Sequence, residues 1–214
     1  MPKQETSSRK DGALTHQRIL NTAGRLFATQ GLGATKNKDI AIKAEVDLAL
    51  INYHFGGRDG LYQHTLKEAH AHIIKLEDLL IITEQSDSPE AQLKSVIDLL
   101  TKAVLSPNDW HFKLLARELL SPSASLKVLA DEEGLPKINI IKTILSNLTG
   151  IAADDPSIFP CVISVMAPCL MILVAGENLP GPLQAIRSME QQQLSNYLFN
   201  YALGGLNAVK NMQG

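Results

Sequence analysis

Four groups of residues carry side chains able to do chemistry. His64, Glu68 and His72 recur every four residues, so on a helix they share one face. Imidazoles and a carboxylate at that spacing can ligate a divalent cation. A solvated helix face has the same composition, and no metal is expected; His70 lies off the stripe. Cys161 and Cys169 lie about 12 Å apart along one helix. A disulfide needs Cα atoms within about 7 Å, so they read as small buried apolar residues. The run Asp131-Glu132-Glu133 reads as a solvated charge run rather than a paired-carboxylate site. The fourth group is basic. Residues 1–60 hold nine Lys/Arg against six Asp/Glu, net +3, while residues 61–214 hold eleven against sixteen, net −5. A basic head on an acidic body calls for an anionic partner at the head; chance in a small sample is the plainer alternative. The chain has no Gly-x-Ser-x-Gly, no P-loop, no dinucleotide fingerprint and no His-Glu-x-x-His. Neither an enzyme nor a cofactor is expected.

The elements that would position these residues follow from periodicity. The chain has 214 residues, 45% apolar and 20% charged, enough for one or two domains with a buried core. Residues 1–14 read as a flexible tail. From Thr15, Ile19, Ala23, Leu26 and Phe27 form one apolar stripe that ends at Gly31 and Gly33. Thr35 is placed to cap a second helix, with Ile40, Ala41 and Ala44 inward and Asp39 in its first turn. Asp47 caps a third, Leu48 to Phe55, which ends at Gly56-Gly57. A long fourth helix is expected from Asp59 to about Thr83. Beyond it the pattern predicts helices over 89–105, 109–120, 124–130, 135–148, 157–175 and 183–209. No segment alternates with period two, so the fold class is all-α.

Three short helices over 15–60, the last two joined by a three-residue turn, form a helix-turn-helix candidate; a plain three-helix subdomain fits the same pattern. The residues themselves then add a resemblance. Ile19–Phe27 followed by Gly31, then Ala34-Thr35, Asp39-Ile40-Ala41, Val46, and the run Ile51-Asn52-Tyr53-His54-Phe55-Gly56-Gly57-Arg58-Asp59-Gly60-Leu61-Tyr62 are similar to the DNA-binding head of the TetR family of bacterial regulators. The Ile-Asn-Tyr-His-Phe-Gly-Gly variant, and more weakly Arg117-Glu118 with Pro122, resemble its CecR-like branch. One departure is Glu45, where the family usually has Gly.

The resemblance implies roles. Lys38 reaches a base edge or phosphate, and Lys36 stands where Ser or Thr usually meets a phosphate. Leu48, Ala49 and Asn52 face the major groove, where Asn pairs with adenine and small or aliphatic groups touch thymine methyls. Tyr53, His54 and Arg58 contact phosphates. Plainer alternatives are Tyr53 as packing, His54 as a solvated cap, and Leu48 and Leu50 as core. The resemblance also implies a double-stranded operator, a homodimer, a small-molecule effector held in the helical body over 61–214, and repression relieved by that effector. Trp110, Phe112, Arg117, Met166 and Met171 are pocket candidates. The interface would lie on the last two long helices, with Leu198 facing outward. The uncharged stretch 158–176 approaches membrane-spanning length, but Pro160 and Pro168 interrupt it and acidic residues flank it, so a core or interface helix is expected and no membrane. Few cysteines and a first segment without an apolar core fit a cytoplasmic protein. The alternatives are a helical ligand-binding or scaffolding protein without DNA binding and a membrane-associated helical protein.

Overall fold

A computed structural model describes residues 4–86, 88–106, 110–175 and 181–212. Among these residues there are α-helices, one π-helical turn and no strand. The helices are α1 (Gln4–Gln30), α2 (Asn37–Ala44), α3 (Leu48–Phe55), α4 (Arg58–Ile73), α5 (Leu76–Gln85), α6 (Pro89–Val104), α7 (Trp110–Leu120), α8 (Ala124–Leu129), α9 (Leu135–Thr149), α10 (Ile158–Ala175), α11 (Pro182–Arg187) and α12 (Gln191–Asn211). The π-helical turn, Ala130–Gly134, joins α8 to α9.

The first three helices close on their own apolar stripes. Ile19, Ala23, Phe27, Ile40, Ile51 and Phe55 are all buried together. From this head α4 runs into a body in which α7 packs against α1, α4 and α10, while α12 packs against α6, α9 and α10. The uncharged α10 turns one face into this body, with Ile158, Cys161, Val162, Val165, Cys169, Ile172 and Leu173 buried, and leaves Phe159, Ile163 and Met171 of its other face exposed.

Several boundaries differ from the sequence expectation. The first helix starts at Gln4 rather than Thr15. Thr35 does not cap α2: Lys36 occupies the N-cap position, and the buried Thr35 hydroxyl donates to the Gly31 carbonyl at 2.8 Å, closing the preceding turn instead. The fourth helix ends at Ile73, because Ile74 (φ −156, ψ 129) and Lys75 adopt extended backbone. That bend turns Ile74 and then Leu79 into the core. It also puts Glu77 and Asp78 in the first turn of α5, where the helix dipole favours carboxylates. The last helix is two helices. Ser188 ends α11 by donating its hydroxyl to the Ala185 carbonyl at 2.8 Å, and extended Glu190 starts α12. Pro168 leaves α10 unbroken. Asp109, read from the sequence as the cap of the helix expected over 109–120, lies outside the described residues. The acidic run is not simply solvated, since Glu132 pairs with Lys67 and Glu133 with Lys137.

Candidate nucleic-acid interface

The angle between α2 and α3 is set by three residues. Ala41, 5% exposed, is small enough to sit at the crossing. Glu45 ends α2 in the left-handed region, φ 52 and ψ 49, with its N–H on the Ala41 and Ile42 carbonyls. Arg18 of α1 donates to the Glu45 carbonyl at 3.4 Å and ties the turn to the first helix. Asp47 then caps α3, its Oδ1 accepting from the Ala49 N–H at 2.7 Å. With Ile51 and Phe55 locked inward, the opposite face of α3 has one orientation.

That face carries the residues singled out above. Leu48, Ala49, Asn52 and Tyr53 are exposed, as are Lys36 and Lys38 around the start of α2. Tyr53 is 81% exposed, so its ring is no part of the core. It meets His54 edge-on, ring centroids 5.0 Å apart. Leu50, by contrast, is partly buried against the core. Arg58 is the first residue of α4, following Gly57 (φ 113), a conformation that glycine tolerates and L side chains rarely adopt. Its Nε lies 3.8 Å from the Asp59 carboxylate, a weak exposed pair that leaves the guanidinium available. The head thus exposes cationic and hydrogen-bonding groups on α2, on α3 and at the N-terminus of α4, residue types suited to phosphates.

Behind this surface His16, His54 and His64 gather around Phe55, with His16 stacked on the Phe55 ring at 4.5 Å. Burial first, then His54 and His64, holds the His16 imidazole below its ordinary pKa. His64 and His72 therefore have different surroundings: His72 stacks on His111 at 4.1 Å, at the other end of α4. Among the described residues no group of three potential ligands, including His64, Glu68 and His72, is placed to hold a metal.

Residues of α7 join the head to the body, and the sequence alone did not single out their contacts. Tyr62 of α4 donates its hydroxyl to Glu118, which is 2% exposed; the other carboxylate oxygen accepts from the Ser123 N–H at 3.2 Å and hydroxyl at 3.0 Å. Burial and this carboxylate push the Tyr62 hydroxyl far above its ordinary pKa. Arg117 donates to the Thr29 carbonyl at 3.1 Å. The Trp110 ring lies flat against Gly24, where a Cβ would come within 2.3 Å of it.

Next to these contacts the body encloses a cavity of about 250 Å³, walled by His70, Ile73, Leu115, Glu118, Leu129 and Met166 among other mostly apolar residues. Of the expected pocket residues only Met166 is on its wall. Phe112 and Arg117 line a separate cleft of about 580 Å³ beside Thr29, Leu173 and Arg187. Trp110 is spent on the α1 contact, and Met171 is 58% exposed on α10. At one end of the cavity His70 meets Lys137, its Nδ1 2.9 Å from the Lys137 Nζ. Burial, then the Lys137 charge, lowers the His70 pKa to about 4.

A three-helix head with a turn between α2 and α3 and an exposed α3 face, set on a helical body, has the layout of a helix-turn-helix regulator. Residues 19–65 match the family described as bacterial regulatory proteins, tetR family, and residues 89–198 match the C-terminal domain of the HTH-type transcriptional dual regulator CecR. The chain belongs to the TetR family of bacterial transcriptional regulators, DNA-binding proteins of the helix-turn-helix type. It is 32% identical over 88 residues to the probable HTH-type transcriptional regulator YttP of Bacillus subtilis (strain 168), a match spanning 41% of this chain and 42% of that protein. Among solved structures, a TetR-like regulator from Rhodococcus sp. RHA1 superposes with a TM-score of 0.66 at 17% identity, over 91% of this chain and 97% of that one. A TetR-family regulator from Streptomyces coelicolor does so with a TM-score of 0.64 at 18% identity, over 92% and 96%.

Proposed function

We propose that the chain is a cytoplasmic repressor that binds a palindromic DNA operator as a homodimer and leaves it when a small molecule fills the body cavity. The observation that carries this reading is the exposed face of α3. Asn52 and Tyr53 stand in solvent outside the core, in a head whose exposed cations include Lys36, Lys38 and Arg58. In this reading Leu48, Ala49 and Asn52 meet base edges, while Lys36, Lys38, Tyr53, His54 and Arg58 hold phosphates. Two copies are needed because a single short helix reads only half of such a site.

The apolar side chains left in solvent on the last helices support pairing. Phe159, Ile163 and Met171 on α10 and Tyr197 and Tyr201 on α12 are 48–84% exposed. A second copy would cover them as a four-helix bundle. Release by a ligand is supported by the position of the cavity. Its wall includes the last turn of α4, whose first residue is Arg58, and α7, whose Glu118, Arg117 and Trp110 hold α4 and α1. A ligand that moves either helix changes the separation of the two heads.

The test is a gel shift with DNA from the region upstream of the gene. Wild type should retard it, and Arg58→Ala should bind about tenfold or more weaker, since a charged hydrogen bond is worth about 1.5–3 kcal/mol. Equal retardation of unrelated DNA by both proteins would remove the basis for this reading.

A further inference from the structure

The walls of the body cavity are nearly all hydrocarbon, contributed by Ile73, Ile74, Leu100, Leu115, Leu129 and Leu173 among others. Two polar side chains break them. Glu118 is already committed: both carboxylate oxygens accept hydrogen bonds from Tyr62 and Ser123. His70 is not. The Lys137 ammonium has only protons to offer, so His70 Nδ1 must accept and the ring proton sits on Nε2. Among the described residues Nε2 has no hydrogen-bond partner, and it is not one of the buried unpaired atoms, so it keeps accessible surface. His70 is a wall residue of the cavity and its Nε2–H keeps accessible surface, so it is the donor that a ligand there could meet, with the lysine cation on the other side of the ring.

The cation is held for that place. Lys137 is 4% exposed, and its partners are His70 and, at 3.6 Å, the Glu133 carboxylate. Glu133 belongs to the π-helical turn, whose Ala130 and Gly134 form part of the cavity wall. Lys67 on α4 pairs with Glu132 of the same turn. The polar end of the cavity is thus built from α4, the π-helical turn and α9 together.

We propose that the ligand of this cavity is an apolar molecule ending in one hydrogen-bond acceptor, a carboxylate above all, which accepts a hydrogen bond from His70 Nε2–H while its hydrocarbon part fills the rest. At His70 a carboxylate gains from the ammonium behind the ring, a carbonyl gains the hydrogen bond alone, and an amine would set two donors against each other; beside the Glu118 carboxylate the signs reverse, so the order holds for a ligand whose polar end lies at His70. The volume of about 250 Å³ corresponds to about eight waters at about 30 Å³ each. That is room for a ring with a short chain. This inference rests on the cavity being the effector site, and the test separates the two.

Four compounds sharing one skeleton make that test: phenylbutyrate, phenylbutyramide, butylbenzene and phenylbutylamine, titrated into the full-length protein by calorimetry. The expected order is carboxylate, then amide, then hydrocarbon, with the amine weakest, and about tenfold or more between carboxylate and hydrocarbon. His70→Phe should keep butylbenzene binding and erase the carboxylate preference. A readout without mutation is nitrogen NMR of the imidazoles in wild type, where phenylbutyrate should shift the protonated Nε2 of His70 and leave the exposed His72 unmoved. Butylbenzene binding as tightly as phenylbutyrate, or the amine binding tightest, overturns the assignment of ligand class and leaves the cavity as a binding site. No binding by any of the four, together with an unchanged His70 spectrum, overturns the cavity reading as well.

Discussion

Glu45 is the only non-glycine residue with positive φ among the described residues, and it holds the turn on which the angle of α3 depends. Replacing it with glycine should stabilise the protein. A left-handed L residue costs about 1–2 kcal/mol. Glycine removes that cost but frees the unfolded chain, which takes back about 0.4–1 kcal/mol. The net gain for Glu45→Gly is therefore about 0.5–1 kcal/mol. Nothing else in the turn changes, because its other contacts are backbone: the Glu45 N–H on the Ile42 carbonyl at 3.2 Å and its own carbonyl under Arg18 at 3.4 Å. Glu45→Ala is the control, since it removes the same charge and keeps the Cβ. In urea unfolding followed by helical circular dichroism, the glycine variant should exceed both wild type and the alanine variant by the stated margin. Its melting temperature should rise by about 2–4 °C per kcal/mol. On DNA, the alanine and glycine variants should both bind more tightly than wild type, and by similar factors, because each removes an exposed carboxylate from the basic head. A glycine variant no more stable than the alanine variant would refute the strain argument.

Three further outcomes follow from the same geometry. Asn52→Ala should flatten the base preference at one position per half-site, by about 1–3 kcal/mol, whereas Tyr53→Phe should weaken all duplexes alike; competition with single-base variants of a bound duplex distinguishes them. Tyr201→Glu, at a position 84% exposed on α12, should turn a dimer into monomers in sedimentation velocity by setting like charges against each other across the interface. Leu198, expected to face outward, is partly buried against the protein's own core and is the poorer probe. His70, with its pKa lowered from 6.5 to about 4, binds fewer protons folded than unfolded across that range. Stability should therefore fall as pH drops from 6.5 towards 4, by on the order of 3 kcal/mol in total, and His70→Phe should fall less steeply over the same range.

The head was legible in the sequence because its signals are local. Asp47 three residues past Ala44, the stripe Ile40-Ala41-Ala44 and the paired glycines at 56 and 57 each act within one turn of helix, and the structure keeps them all. Glu45 stood out only through the resemblance, where the family usually has Gly, and its φ of 52 gives the physical reason for that preference. The body was legible only as helices. The ends of α4 and α11 depend on where Ile74 and Met189 pack, which no neighbour in sequence dictates. The cavity wall draws on residues from His70 to Leu173, and His70 meets Lys137 across 67 positions of chain. Aromatic side chains were therefore a poor guide to it, while Met166 lies on its wall. Trp110 is large and apolar, but the bare backbone of Gly24 makes a better place for it than the cavity does.

The central claim is that two copies of the head read one specific duplex. Selection of bound duplexes from a random pool by the full-length protein, followed by sequencing, tests it without assuming where the operator lies. A dimeric reader should enrich an inverted repeat whose half-sites lie about one helical turn, 10–10.5 base pairs, or a multiple of it, apart. That enrichment should be lost with Asn52→Ala at one base pair of each half. A pool that is retained without enrichment of any sequence, or an enriched site with no two-fold symmetry, would contradict it.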